Sequence, residues 1–369
     1  MSYIWQREDW PLFEYDLSLV EGDLLLFSQK MGRTNGLLEG LSDEEQEESL
    51  LDLMVAEAVK TSEIEGEMLS RRDVMSSIKN NLGLNPVAEC VQDQRAEGIA
   101  EMILDGRETF AEPLSEGVLM RWHRMLMKGH DSSGGRLLVG AWRTHAEAMQ
   151  VISGPVGREK VHFEAPPSHR VSTEMTRFFK WFNKTGADVG MTPLVRSALA
   201  HLYFETIHPF EDGNGRIGRA ISEKALLQGF GRPVLLSLSR VIEAKRNDYY
   251  DALQAAQSRN RVSEWVSYFV SMALEAQGEA EEQVRFTLKK AQFFNRYEKV
   301  LNARQLHVVR RMIEEGPKGF EGGMNARKYV SLAKTSKATA TRDLQDLADR
   351  GIFAVAGGGR STRYEVVLG

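Results

Sequence analysis

The apolar residues of this chain recur at helical spacing along most of its length. After Ser42, acidic residues fill a first turn, and an apolar face begins at Leu50 and Leu51. A capping residue, early acids and an apolar stripe together predict a helix over residues 43–67 that ends near Gly66. The same spacing predicts helices at residues 72–81, 86–110, 114–128, 168–184, 192–207, 216–229, 240–257 and 263–300.

One segment departs from the helical pattern. Residues 148–165 alternate apolar and polar positions on either side of a Gly-Pro-Val-Gly stretch at 154–157. Alternation about such a turn is typical of a β-hairpin. Because any surface hairpin would have this pattern, the hairpin by itself indicates no function.

After residue 300 the pattern changes to three short helices followed by two short strands around a glycine-rich tip. The closing stretch LADRGIFAVAGGGRSTRYEV resembles the end of a winged helix-turn-helix domain. We therefore expect an all-α protein with one hairpin in its core. Its predicted parts are an N-terminal helical region (1–110), a helical core (111–300) and a winged-helix-like domain (301–369).

The composition limits the class of protein. Of the 369 residues, 42% are hydrophobic and 27% charged, which is ordinary for a soluble globular protein. The apolar runs are too short to span a bilayer, and the first residues contain acids and tryptophans where a signal peptide would be apolar. The single cysteine, Cys90, permits no intramolecular disulfide, and its helical context predicts a buried position. We expect a cytoplasmic protein with no membrane association.

Charge is distributed unevenly along the chain. Residues 301–369 contain 12 Lys and Arg against 7 Asp and Glu, whereas the remainder contains 35 against 45. An acidic body joined to a basic C-terminal part suggests that the two parts have different tasks.

The stretch HPFEDGNGRIGR at residues 208–219 concentrates candidate chemistry at a helix start. The unpaired amides and positive dipole end of a helix form an anion site, and glycines there let phosphate approach the backbone. Arg216 and Arg219 lie three apart and can both reach phosphate oxygens. Asp212 is suited to hold Mg²⁺, and His208 can accept a proton near neutral pH. This stretch predicts a nucleotide-phosphate site with a base.

The same twelve residues resemble the HxFx(D/E)GNGRxxR signature of Fic domain proteins at every defined position, and the resemblance extends over roughly 115–257. It implies a helical Fic core that transfers AMP from ATP to a Tyr, Thr or Ser hydroxyl of a target protein. The implied roles are general base for His208, Mg²⁺ ligand for Asp212, α-phosphate contacts for Gly213, Asn214 and Gly215, and β- and γ-phosphate contacts for Arg216 and Arg219.

The resemblance also assigns neighbouring segments. The 148–165 hairpin corresponds to the flap of the family, along which a target segment is held as an added strand. In the helix after the motif, Asn247 and Tyr250 stand where the family places adenine contacts, although aromatic residues on a helix are more often core residues. Dimers are common in the family, so a homodimer is among the expectations.

A second short stretch, TSEIEGE at residues 61–67, has two interpretations. It can simply end the helix at Gly66. It also matches the inhibitory motif (S/T)xxxE(G/N) of Fic proteins, with Thr61, Glu65 and Gly66 at the defined positions, on a helix of about 43–66 that precedes the core, as in class II. By this resemblance Glu65 pairs with Arg219 and blocks the γ-phosphate contact. Glu65 could also position water for removal of AMP.

Two alternatives stay open. The chain could be a DNA-binding regulator whose Fic site senses nucleotide, with a reading helix that presents Lys337, Thr341 and Arg342. Many such domains bind a protein instead, and the modest positive charge does not decide between the two. The transferred group could also be phosphate or phosphocholine, but the complete signature favours AMP. In the regulator alternative, the wing would contact DNA phosphates through Arg360 and Arg363.

Overall fold

Packing divides the chain into two compact units. The structure is a computed structural model that describes residues 3–130, 137–153, 160–186, 188, 190–317 and 319–368. Unit 1 comprises Met1–Gly32 and Leu50–Gly278, and unit 2 comprises Arg33–Ser49 and Glu279–Gly369. Each unit has its own hydrophobic core. The two N-terminal parts of the predicted three-part division thus contribute to one core, and the three-part division itself stays a prediction.

The fold is mostly helical, as the apolar spacing predicted. In the described residues up to position 300, the helices are α1 Glu21–Glu39, α2 Asp43–Ile64, α3 Arg71–Asn81, α4 Gln94–Glu108, α5 Glu116–Leu126, α6 Ser168–Thr185, α7 Pro193–Ile207, α8 Asn214–Phe230, α9 Leu238–Ala244, α10 Arg246–Ala256 and α11 Ser263–Tyr297. Strands β1 Gln150–Ser153 and β2 Lys160–Glu164 form an antiparallel pair.

Helix α7 lies at the centre of unit 1. Every residue from Leu194 to Ile207 is buried, which is expected for a helix that is apolar around most of its circumference. Its most extensive packing is against α8, and aromatic side chains of α6 and α7 meet at Phe178 and Tyr203, whose ring centroids are 5.1 Å apart. The loop that joins α7 to α8 is therefore attached at both ends to buried helices.

Three elements differ from the predictions. Helix α1 was not predicted. The predicted helix 86–110 begins only at Gln94, because the carboxylate of Asp93 accepts a hydrogen bond from the Arg95 amide and caps the helix there. Cys90 therefore lies before the helix and is exposed, so its predicted burial was wrong. The predicted helix 240–257 consists of α9 and α10, with a break at Lys245.

In unit 2, residues 301–368 form three helices and a two-stranded sheet within the described part. Met324 forms an isolated antiparallel bridge with Tyr364 of the second strand. The hydroxyl of Tyr329 and the guanidinium of Arg304 both donate hydrogen bonds to Asp343, which ties the three helices together. The elements are α12 Ala303–Ile313, α13 Ala326–Ala333, α14 Lys337–Asp349, β3 Phe353–Ala356 and β4 Arg363–Val366. Their order agrees with the predicted elements; the winged-helix assignment stays a prediction.

Among the described residues, no helix is both long enough and apolar enough to cross a membrane.

The close approach of α4 to α5 gives a test of the fold. A methyl group on Gly98 of α4 would overlap the carbonyl oxygen of Met125, whereas one on Gly106 of the same helix would lie 3.4 Å from Trp122. We expect Gly98→Ala to lower the free energy of unfolding by about 1–3 kcal/mol, because a backbone atom cannot move aside cheaply. The matched control, Gly106→Ala, should be neutral or stabilising by up to about 1 kcal/mol, since alanine favours helix. Denaturant unfolding measures both, and equal effects would contradict the packing.

Candidate active site

The loop between α7 and α8 begins and ends in left-handed backbone. His208 closes α7 at φ 50° and ψ 61°, and Gly213 opens α8 at φ 81°. A positive φ is costly for histidine, so the surrounding structure must hold it. At Gly213 a side chain would also collide with Leu126, at 2.8 Å from Cδ2. The glycine therefore meets both a conformational and a steric requirement.

Arg143 holds the backbone around His208. Its Nε donates to the His208 carbonyl at 2.8 Å, and its own amide donates to the Pro209 carbonyl at 3.0 Å. The guanidinium also binds the carbonyls of Pro166 and Ile207. Arg143 is 1% exposed, and burial lowers the pKa of its guanidinium to about 10. By donating to these carbonyl oxygens, the buried side chain of Arg143 fixes the strained end of α7.

His123 supports the middle of the loop. Its ring stacks on Phe210 with centroids 4.2 Å apart. Nδ1 accepts a hydrogen bond from the Gly140 amide at 2.8 Å, so Nε2 carries the proton and donates to the carbonyl of Asp212 at 3.2 Å. Burial lowers the pKa of His123 to about 4. The imidazole is thus neutral at physiological pH, and its hydrogen bonds support the loop.

The first turn of α8 has the unpaired backbone amides of an anion site. The side chain of Asn214, however, contacts the loop and not the site of the predicted α-phosphate. Its side chain is 2% exposed. The Oδ1 atom accepts from the Phe210 amide and Nδ2 donates to the Phe210 carbonyl, both at 2.9 Å. The side chain of Asn214 therefore ties the loop across its base. The predicted α-phosphate contact at this end of the helix rests on the backbone amides of the first turn.

Arg219 meets the end of α2. Its Nε donates to the hydroxyl of Thr61 at 2.7 Å, and one Nη donates both to the Thr61 carbonyl at 2.9 Å and to Oε1 of Glu65 at 2.8 Å. Burial opposes the cation, but the charge of Glu65 outweighs this effect and holds the pKa of Arg219 above its usual value. The contact that the inhibitory motif predicted between Glu65 and Arg219 is present in the structure.

The end of α2 is a Schellman turn, and it positions two carboxylates. The amide of Glu67 donates to the carbonyl of Ser62, the amide of Gly66 donates to that of Glu63, and Gly66 has φ 84°. The stretch ends α2 with Gly66 in the left-handed region just beyond the helix, and the same turn directs Glu65 toward Arg219. The inhibitory role of Glu65 stays a prediction.

Glu67 pairs with the other arginine of the motif. Its Oε2 lies 2.6 Å from an Nη of Arg216, which is 1% exposed, and its Oε1 lies 2.8 Å from Nε2 of His130. Hydrogen bonding to Glu67 raises the pKa of His130. Burial opposes ionisation of Glu67, but His130 and Arg216 prevail and lower its pKa. Carboxylates from one turn of chain thus bind both arginines predicted to bind phosphate.

Gly215 leaves room for the Glu65 carboxylate on the first turn of α8. A side chain at this position would overlap Oε1 of Glu65 and lie 3.1 Å from an Nη of Arg219. The carboxylate therefore lies against the helix start, where the dipole and the orphan amides favour a negative group.

As the predicted Mg²⁺ ligand, Asp212 would provide a single carboxylate. Its side chain is about half exposed, and Oδ1 accepts from the Gly213 amide at 2.6 Å. No cluster of three metal-ligating side chains occurs in the described part of the chain. Mg²⁺ keeps several waters and is commonly held by one or two carboxylates together with substrate phosphates. One carboxylate at the phosphate end of the site is compatible with that mode.

The predicted adenine residues lie on α10. Tyr250 is partly buried, and burial followed by the nearby Glu65 carboxylate raises the pKa of its hydroxyl. This tyrosine therefore borders the pair formed by Glu65 and Arg219. Asn247 is exposed one turn earlier on the same helix.

The strands of the predicted hairpin are present as β1 and β2, and residues 154–159, where its turn was predicted, lie outside the described residues. The outer edge of β2 is occupied by the chain itself. Trp5 Nε1 donates to the Glu164 carbonyl at 2.7 Å, and Gln254 donates to the His162 carbonyl at 3.0 Å.

Several residues at the site were not predicted, among them Glu67, Arg143 and Glu205. Glu67 was in the quoted stretch but only Glu65 matched a motif, and Arg143 stands in a loop without a recognisable pattern. Glu205 precedes His208 by one helical turn, and its Oε2 lies 3.5 Å from Nδ1 of His208. The spacing i, i+3 was the available signal for that last contact.

Comparison with known proteins agrees with this geometry. Residues 113–226 match the family model of the Fic/DOC family, and residues 3–84 match that of a domain of unknown function, DUF4172. The chain is 27% identical to a probable protein adenylyltransferase of Aquifex aeolicus over 163 residues, which cover 44% of this chain and 43% of that protein. It is 36% identical to protein adenylyltransferase Fic of Culex quinquefasciatus over 86 residues, or 23% and 16% of the two chains.

The matched regions thus span less than half the length of these curated relatives. The fold is similar to the crystal structure of a Fic family protein from Desulfovibrio desulfuricans, with a TM-score of 0.55. The alignment covers 97% of this chain and 98% of that chain, at 20% sequence identity. That likeness shows a shared fold. The chain contains a Fic/DOC domain at residues 113–226, in a helical fold of the Fic type.

The contact between Glu67 and His130 predicts a pH dependence of stability. The pKa of His130 is raised in the folded chain, so its stabilising contribution is complete below about pH 6.5 and is lost as the pH rises through the folded value. We expect His130→Ala to lower the melting temperature at pH 6 and to have a smaller effect at pH 9. His169→Ala, at an exposed position of α6, is the matched control. A loss that does not change with pH would show that the ion pair does not stabilise the fold.

Proposed function

We propose that the chain is an auto-inhibited protein adenylyltransferase, which transfers AMP from ATP to a hydroxyl side chain of a target protein. The observation that carries the proposal is the arrangement of 208–219. A histidine at the end of one buried helix faces a loop that leads into a helix start with glycines and two buried arginines. This arrangement provides a base, an anion site and cationic phosphate contacts within twelve residues.

His208 acts as the general base and takes the proton of the acceptor hydroxyl as its oxygen attacks the α-phosphorus. The bond from this phosphorus to the bridging oxygen breaks, and pyrophosphate leaves with that oxygen. Amides at the start of α8 receive the α-phosphate, while Arg216 and Arg219 neutralise the outer phosphates. Asp212 would hold Mg²⁺, which would supply further charge neutralisation on the phosphates.

The inhibition proposed for Glu65 extends to Glu67. Arg216 and Arg219 are both buried, and each pairs with a carboxylate from the end of α2. The outer phosphates of ATP are competing anions for the same guanidinium groups. Nucleotide can still enter through contacts at the adenine and α-phosphate, but its outer phosphates are displaced, so the α-phosphate is misaligned with His208. The same Glu65 carboxylate, near the phosphate site, is also placed to orient water for removal of AMP.

The target segment would lie as an added strand along the 148–165 hairpin, with its hydroxyl directed to His208. Because side chains of Trp5 and Gln254 already bind outward carbonyls of β2, the β1 edge is the better candidate. Tyr250 would contact the adenine from the side of α10. A homodimer and a cytoplasmic location are further parts of this proposal.

A second candidate function concerns the C-terminal helices. Lys337, Thr341 and Arg342 are exposed on α14, and Arg363 is exposed on β4, while the side chain of Arg360 lies outside what the structure describes. The exposed face fits the reading helix of a DNA-binding winged helix or a protein-docking surface. The transferase is preferred because the chemistry-bearing residues converge in unit 1.

The catalytic prediction uses the chain with inhibition relieved. Incubation of Glu65→Gly with α-labelled ATP and Mg²⁺ should label the protein itself or lysate proteins. Adding His208→Ala should reduce transfer by about 10²–10⁴-fold with ATP affinity nearly unchanged, since a base acts on the chemical step. Loss of ATP binding in a folded His208→Ala protein would identify a structural histidine instead. Label from γ-labelled ATP would indicate transfer of phosphate.

The regulatory prediction is a double-mutant cycle on Glu65 and Arg219. Glu65→Gly should raise turnover on the order of 10²-fold, because correct placement of reacting atoms is worth about that much. Arg219→Ala should impair transfer and make Glu65 irrelevant, so the double variant should resemble Arg219→Ala alone. The matched control is Glu63→Gly, which removes another carboxylate at the same end of α2. The Glu63 carboxylate pairs with Lys60 instead of Arg219. Equal stimulation by Glu65→Gly with Arg219 absent would show that the two residues are not partners.

A further inference from the structure

A buried carboxylate stands behind the proposed base and is not part of the signature. Glu205 lies on α7 one turn before His208 and is 5% exposed. Its Oε2 lies 3.5 Å from Nδ1 of His208. Neither Nδ1 of His208 nor Oε1 of Glu205 has a hydrogen-bond partner in the described part of the chain. A buried carboxylate is stable only beside a cation or a hydrogen-bond donor, and Nδ1 of His208 is such a group at 3.5 Å.

The space for this carboxylate is made by α8. A side chain at Gly218 would overlap Oε1 of Glu205 and crowd the ring of Phe204 at 3.3 Å. The carboxylate thus lies against the helix backbone, and any larger residue at position 218 would occupy its place. Burial opposes ionisation of Glu205, but the contact with His208 outweighs it and the pKa of Glu205 is lowered. The carboxyl group is therefore ionised at physiological pH.

We propose that Glu205 is a positioning residue that holds a proton on Nδ1 of His208 and so leaves Nε2 free to act as the base. The inference rests on the role proposed above for His208. An imidazole accepts a proton only at its unprotonated nitrogen, so a carboxylate at Nδ1 selects the tautomer with Nε2 as acceptor. Hydrogen bonds at such sites are often long before substrate binds and shorten in the reactive complex.

In the reaction, Nε2 takes the hydroxyl proton as the new oxygen–phosphorus bond forms and pyrophosphate leaves. Nδ1 keeps its proton throughout, and the carboxylate of Glu205 stabilises the imidazolium. The proton on Nε2 is then released to water. Glu205 touches neither substrate nor phosphate and acts through His208 alone, as the acid of a Ser-His-Asp triad acts through its histidine.

Burial lowers the pKa of His201 and raises that of Tyr249; burial also opposes the Arg219 cation, but the charge of Glu65 holds the pKa of Arg219 above its usual value. The facing groups are His201 on α7, Arg219 on α8, Tyr249 on α10, Glu65 after α2 and the Arg143 guanidinium on the carbonyl of His208.

The test compares Glu205→Gln with its parent in the Glu65→Gly chain. We expect kcat to fall by at least about tenfold with KM for ATP unchanged. Gly218→Ala, which displaces the carboxylate without removing it, should also lower kcat. Glu174→Gln is the control, a buried carboxylate that binds Trp10 and Arg170 instead.

A second readout does not need transfer activity. In the full chain with ¹⁵N-labelled histidine, the His208 ring signals are those lost in His208→Ala. In the neutral form, the ring should carry its proton on Nδ1, and Glu205→Gln should shift it toward the Nε2-protonated form. An unchanged tautomer in a folded variant would overturn the proposal. If Glu205→Gln does not fold, a wild-type ring protonated on Nε2 would overturn it equally. If His208 has the Nδ1 tautomer but the chain never transfers AMP, the proposed function is wrong, whereas the contact between Glu205 and His208 is confirmed.

Discussion

Two buried arginines on one turn of α8 are the constraint on which the site depends. Arg216 and Arg219 are 1% and 3% exposed, and a cation removed from water needs acceptors or anions in place of water. The chain provides anions from the Schellman turn after α2. In the function proposed above, the phosphates of a nucleotide would be anions for the same two arginines, so the end of α2 and the substrate would compete for them.

The second constraint is the shape of the loop before those arginines. His208 and Gly213 both adopt left-handed backbone, and the strain at the histidine is tolerated because neighbouring segments bind the carbonyls around it. Arg143 holds one side of the loop and His123 the other, each at the cost of burying a polar side chain. Rigid support of this kind keeps the helix start and the histidine in one geometry before any ligand arrives.

Two carboxylates that lie against α8 have opposite consequences for the proposed chemistry. Glu65 lies at the helix start and takes the place of an anionic ligand, so its removal should release activity. Glu205 lies behind the histidine and supports the charge that forms during proton transfer, so its removal should reduce activity. Both depend on a glycine of α8, Gly215 or Gly218, whose missing side chain leaves space for the carboxylate. The glycines of the motif thus serve the protein's own side chains as well as phosphate.

Helical periodicity determined most elements, because an apolar stripe at a spacing of 3.6 residues has few other ways to be buried. The motif 208–219 likewise determined the kind of chemistry, since the needed residue types are adjacent in the chain. The start of the helix at Gln94 depended on a local cap, and the predicted burial of Cys90 was wrong for that reason. Only the tertiary structure could bring Glu67 to Arg216 and Arg143 to His208, because each contact joins segments more than 60 residues apart. Sequence spacing reports the neighbours along one helix, whereas partners on other helices are decided by packing.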